Sequence, residues 1–184
     1  MKYINSVHSP IYNEVLHLYI GESETSMYFE SWIKRLNMKF INEDKITIVA
    51  TFIRLYGDAL GKLADHYDKP VVFRRLNKTD NQYGDIMARI GNTIYVSEEE
   101  VGKMGLSDPE VLAALAHEVG HVIYATRGWD ADCEQRADSV ASDLGLGKQM
   151  ISAIEKFIES RRYPRLTSML VSRIHFLQNI EYAV

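Results

Sequence analysis

A stretch that opens as a capped helix and then presents two histidines one turn apart restricts what the rest of a chain can do, and Ser107 to Thr126 is such a stretch. Ser107 with Glu110 three residues on makes a capping box, or Asp108 caps with Pro109 at the first helical position. Val111, Leu112, Leu115, Val119, Val122 and Ile123 then recur at helical spacing, which commits one face to a core. On the same helix His117 and His121 are four residues apart and share a face, so both imidazoles reach a single ion. Gly120 lies between them in the pattern. A glycine there costs a helix about 1 kcal/mol relative to alanine, and its presence predicts close packing against a neighbour.

Two nitrogen donors are half of a tetrahedral zinc site, and a catalytic zinc takes a third protein ligand while the fourth position is left for water. Arg127-Gly128 sits near the end of the motif helix, and Asp132 with Gln135 makes a second capping box for a helix running through about Leu144. Glu134 falls in its first turn and is the candidate third ligand. Asp138 follows by four and shares that face, where it accepts the free ring N–H of a ligand histidine and fixes its tautomer. Glu118 is out of register with the two histidines. That puts it beside a zinc-bound water and makes it the expected general base. The set predicts one Zn²⁺ ion and amide hydrolysis, with the ion lowering the pKa of the water and polarising the scissile carbonyl. His8, His17, His66 and His175 have no such constellation, and Cys133 reads as a packed thiol.

The remaining elements follow from periodicity and punctuation. Helices are expected from Ser9-Pro10 to Ile20, from about Glu24 to Leu36 and from about Asp44 to His66, the last chosen over a strand suggested by Ile46-Thr47-Ile48-Val49. After Lys69-Pro70, Val71 to Leu76 reads as a strand, and Ile86 to Ile90 and Thr93 to Val96 flank a Gly91-Asn92 turn. Beyond Gly145 and Gly147 an amphipathic helix through Met150, Ile154 and Phe157 ends near Arg161-Arg162. Leu166, Leu170, Ile174 and Leu177 support a last one after Tyr163-Pro164. The fold class is therefore α+β, mostly helical, with a small mixed sheet beside the motif helix. A length of 184 residues suits a single domain, 1–184, with 1–68 as an N-terminal helical scaffold and 69–184 as the catalytic part. The net charge of -4, with both signs interspersed, argues against nucleic acid as a partner. No signal-peptide core or bilayer-length apolar run is present, and one cysteine makes no internal disulfide, so a cytoplasmic location without membrane insertion is expected.

With these residues in place, the chain resembles the gluzincin metallopeptidases, and more narrowly the group that contains the bacterial heat-shock protease HtpX and the CAAX prenyl protease, family forty-eight of the metallopeptidases. The similarity runs from about Ile86 to Leu177. It rests on Ile94-Tyr95-Val96-Ser97, on Leu112 to His121, on Glu134 to Ala141, and on Tyr163-Pro164 followed by Arg173-Ile174 and Leu177. The resemblance implies a zincin fold with the cleft beneath a sheet edge. It also implies that an edge strand, here Ile86 to Ile90, pairs with an extended substrate through Met87, Ala88 and Arg89.

Three departures qualify it. The transmembrane helices of the family's membrane members are missing, so membrane substrates do not carry over. The interval between His121 and Glu134 is short, closer to minimal soluble gluzincins and to the phage-repressor-cleaving ImmA type. Tyr163 stands where the family often has a histidine before the late proline, which leaves Tyr163 or Arg173 as the oxyanion stabiliser. The expected function is a soluble zinc metalloendopeptidase acting on polypeptide in a groove. Alternatives are a regulatory or binding protein on a zincin scaffold with a mainly structural metal, an ImmA-like regulatory protease, and an aminopeptidase or other zinc amidase. Glu118 favours hydrolysis, since a structural ion needs no base beside an open coordination position.

Overall fold

The computed structural model describes residues 39–64, 69–81, 84–124 and 131–181. Both expected N-terminal helices, and with them His8 and His17, lie outside the described residues, as does His66. Four strands, β1 (Phe40–Asn42), β2 (Val71–Arg75), β3 (Met87–Ile90) and β4 (Thr93–Val96), form one sheet in the order β1-β2-β4-β3. β1, β2 and β4 are parallel, with Phe40 opposite Val71 and Phe73 opposite Ile94. β3 returns antiparallel on β4, with Ala88 opposite Tyr95, and is an edge of the sheet. The connecting turn holds Gly91 at a φ of 62°, a left-handed conformation that glycine adopts without a Cβ penalty.

Six α-helices account for most of the described residues: α1 (Thr47–Leu63), α2 (Glu98–Met104), α3 (Asp108–Ile123), α4 (Ala131–Asp143), α5 (Gly147–Glu159) and α6 (Thr167–Glu181). A 3-10 turn, Pro164–Leu166, joins the last two. The architecture is thus α+β with a small mixed sheet, as expected. The β-branched start of α1 is helical because tertiary contacts override its strand propensity. The Asn42 side chain accepts from the Ile46 N–H and donates to the Ile46 carbonyl, both at 2.9 Å, and Val49, Phe52, Ile53 and Tyr56 are buried from the first turns on. Phe52 meets Phe73 of β2 edge-on, with ring centroids 6.2 Å apart. One continuous core runs from Phe40 and this helix through β2 and β4 to Val111, Leu115 and Val119 of α3 and to Leu170 and Leu177 of α6.

Several boundaries differ from expectation. The strand expected from Val71 to Leu76 ends at Arg75, the one from Ile86 begins at Met87, and the helix expected to reach Arg161-Arg162 stops at Glu159. The capping box expected from Asp132 and Gln135 does not form the start of α4. That helix already includes Ala131, so Asp132 lies in its first turn and supports it as a negative charge near the helix N-terminus. β1 and α2 were not foreseen. Ser97 caps α2 by accepting from the Glu100 N–H at 3.3 Å, and Gly105 closes it at a φ of 65°. No helix among the described residues is long and apolar enough to cross a membrane.

Candidate metal centre

Helix α3 starts as a capping box: Ser107 is the N-cap, Asp108 is the first helical residue, and the Ser107 N–H donates to Glu110 at 2.6 Å. Nearly the whole helix is buried from there on, including both histidines. Gly120 explains how α4 comes so close. A Cβ built on it would lie 2.8 Å from both the Cα and the carbonyl oxygen of Ala137 and 3.1 Å from Val140 Cγ2. The sequence reading of close packing is borne out, and its effect is to bring the first turns of α4 against the histidine-bearing face of α3.

Three buried side chains converge there. His117 Nε2 and His121 Nε2 are 3.1 Å apart, with the rings edge-to-face. Glu134 completes a triangle, one carboxylate oxygen 3.5 Å from His117 Nε2 and the other 3.4 Å from His121 Nε2. All three donors lie within 4.8 Å of one another. An ion held tetrahedrally at zinc–ligand bond lengths of about 2.0–2.1 Å spaces its ligand atoms about 3.3 Å apart. These spacings, taken to the two oxygens of Glu134, are close to that value, and the three residues could hold a metal ion.

The surrounding groups hold the triangle in shape. Asp138 Oδ1 is 2.7 Å from His117 Nδ1, the position for accepting the ring N–H and leaving Nε2 facing the triangle. Arg173, brought in by α6, is only 6% exposed. Its Nε donates to Asp138 Oδ2 at 2.8 Å, its Nη2 to Asp138 Oδ1 at 2.7 Å, and its Nη1 approaches Glu134 Oε2 at 2.9 Å. One guanidinium thus fixes the candidate ligand carboxylate and the carboxylate behind the histidine together. Burial opposes the charge on Glu134, yet His117, His121 and Arg173 hold it far below the ordinary carboxylate range. Asp138 is held low against burial by His117 and Arg173 in the same way. Burial and the Arg173 charge oppose a charged His117 ring, but Asp138 and Glu134 outweigh them and raise its pKa to about 9. Electrostatically the cluster favours added positive charge at the triangle.

A cavity of about 300 Å³ opens beside these groups. Glu118 lines it and is half-buried, whereas His117, His121 and Glu134 are buried. Met87, Ala88 and Arg89 of the β3 edge border the same cavity, so the residues expected on the substrate edge share a space with the metal candidates. Of the two expected oxyanion groups, both line the cavity and both are engaged elsewhere. Arg173 is bound to the two carboxylates, and the Tyr163 hydroxyl donates to Asp85 Oδ1 at 2.7 Å. Burial, then the Asp85 carboxylate, push the Tyr163 phenol up to about 12. His175 is exposed and Cys133 half-buried, neither belonging to the triangle.

Sequence reasoning missed Asp85 and the role of Arg173 as a carboxylate clamp. The signal for Arg173 was present: with Leu170 and Leu177 it forms the buried stripe of α6, and a cation at such a position needs anionic partners. Compared with the models of known families, with curated proteins and with solved structures, the chain matches none.

Proposed function

We propose that this protein is a zinc-dependent peptidase of gluzincin type on a zincin-like fold, with His117, His121 and Glu134 holding one Zn²⁺ ion and Glu118 acting as general base. The observation that carries the reading is the division of the carboxylates. Glu134 and Asp138 are buried and engaged by His117 and Arg173, while Glu118, one residue from a candidate ligand, faces the cavity. A zinc ion bound there supplies a Lewis acid and brings the pKa of water toward neutrality. Glu118 takes the proton of the attacking water and delivers it to the leaving amine, work for which its cavity-facing position suits it. Asp138 keeps His117 in one tautomer and Arg173 keeps Glu134 oriented, so neither reorganises during turnover. β3 is the last strand of the sheet among the described residues and borders the cavity, where an extended peptide adds as a further strand.

Zinc quantification and cleavage of a blocked-peptide library by wild type and Glu118→Gln test this reading together. The wild type is expected to hold one zinc per chain and cleave. Glu118→Gln keeps the zinc and loses about 10²–10⁴-fold in turnover. A protein that takes up no zinc, or a variant that cleaves as well as wild type, refutes the assignment.

A further inference from the structure

Two guanidinium groups line the cavity, and they come from different elements. Arg173 of α6 is engaged by Glu134 and Asp138. Arg89 stands on β3, the strand along which an extended peptide would add, and its Nη1 donates to the Gly91 carbonyl at 3.1 Å, which draws it toward the turn. Register fixes the face it occupies. Directly opposite residues of an antiparallel pair share a face; Met87 is opposite Val96 and Arg89 is opposite Ile94. Val96 and Ile94 are fully buried, so Met87 and Arg89 lie on the core-facing side of β3, and both line the cavity. Ile90, on the other face, is 70% exposed. Alternation thus calls for an apolar residue at position 89, and the chain puts a half-buried cation there instead. A cation on that face gives up hydration, which an anion arriving along the strand replaces with a charge-assisted bond.

We propose that Arg89 is a specificity residue: it selects acidic peptides by binding a carboxylate on the substrate residue that lies across from it on β3. The proposal rests on the strand-addition part of the peptidase reading and specifies its substrate class. Cross-strand neighbours on one face are about 4.5–5.5 Å apart at Cβ, and opposite charges there attract while like charges repel. A planar guanidinium takes a carboxylate through two parallel N–H donors. Asp85 and Glu118, which also line the cavity, repel an anion placed beside them, so the preference is confined to the Arg89 end of the strand. Side chains alternate along an extended peptide, and the residues on either side of the favoured one point away from Arg89 and carry no preference. The carboxylate has two sources, an aspartate or glutamate side chain within the peptide or the free C-terminus of a peptide that ends there.

The test walks glutamate or glutamine through each position of peptides blocked at both ends, with a second set that ends in a free carboxylate. Binding to zinc-loaded Glu118→Gln, in the 184-residue chain, is read by fluorescence anisotropy, and cleavage by wild type is read separately. Glutamate at one position should bind about 10-fold tighter than glutamine there, with no difference at the adjacent positions. Adding Arg89→Glu should reverse the choice to lysine at that same position, which general damage to the strand does not produce. Should the reversed charge prevent folding, Arg89→Gln decides by losing the preference. A preference shown by blocked peptides assigns the side chain, one confined to the unblocked set assigns the C-terminus, and either upholds the contact. No detectable binding, equal binding of glutamate and glutamine throughout, or a glutamate preference that the folded Arg89 variant keeps overturns it. Acid-selective binding without any cleavage by wild type upholds the role of Arg89 and refutes the hydrolytic reading instead.

Discussion

Helix α3 meets carboxylates at two places, the buried Glu110 in its own first turn and a set that includes Glu134 and Asp138 of α4 against its histidines, and the two are built to opposite effect. At its N-terminus Glu110, 4% exposed, accepts from Ser107, from the Ser152 hydroxyl at 2.6 Å and from Lys156 Nζ at 2.7 Å. Burial alone would raise its pKa, but these donors, Lys156 foremost, hold it at about 2. One negative charge meets one positive charge, and nothing is left over. Toward the C-terminus Glu134 and Asp138 share the Arg173 guanidinium, with the half-buried Glu118 beside them on the cavity, and three carboxylates face Arg173 and the His117 ring, one negative charge in excess even when that ring is protonated. A divalent cation in place of the His117 proton would balance the set. A buried carboxylate whose charge is already matched reads as structure, and a buried set left short of positive charge reads as a site.

The strongest way to break this contrast is to remove a candidate ligand. His121→Ala should lower zinc affinity by more than the about 10–100-fold typical of outer partners and abolish cleavage. Its metal content is measured after dialysis against a trace chelator. Asp138→Ala comes next. It should weaken zinc binding by about 10–100-fold, because His117 loses the acceptor on Nδ1 and Arg173 is left with Glu134 alone. A metal titration that leaves the affinity unchanged would contradict its role.

Gly120→Ala touches neither cluster, yet it should cost about 1–3 kcal/mol in denaturant melts, since the Ala137 backbone cannot yield to the new methyl. It should also weaken zinc binding, because α3 and α4 carry the candidate ligands between them. Glu110→Gln should cost about 1–2 kcal/mol with zinc content and turnover unchanged. It sharpens the contrast through pH. The folded pKa of Glu110 is depressed, so its stabilisation is complete above the ordinary carboxylate pKa near 4.5 and is lost as pH falls toward about 2. The variant should lack that part of the acid destabilisation, and a wild-type-like acid profile would remove Glu110 as its source.

What the sequence showed of this arrangement was its local part. Ser107 and Glu110 cap α3, His117 and His121 share a face of one helix, and Glu134 and Asp138 share a face of the next, so short-range spacing was enough to bring the histidines and Glu134 together. Gly120 signalled the close approach for the same reason. β1 escaped notice because three residues carry no period, and its strand conformation comes from pairing with β2. α2 opens with Glu98, Glu99 and Glu100 and buries only the last of these, so no apolar stripe marked it. Arg173 and Asp138 are 35 residues apart, and Tyr163 and Asp85 are 78 apart. Contacts over such separations are set by tertiary packing, and no local pattern in the chain specifies them.

The clamp on the two carboxylates comes from α6, the last element described, and this has a consequence for timing. A ribosome delivers His117, His121, Glu134 and Asp138 before it delivers Arg173. Until α6 docks, Asp138, fully buried in the finished fold, has no guanidinium to meet. A nascent chain that has emerged only as far as α4 holds the candidate metal-site residues without the clamp that α6 supplies. Under the proposed reading, the clamp on Glu134 and Asp138 is complete only after every other residue of the site has been synthesised.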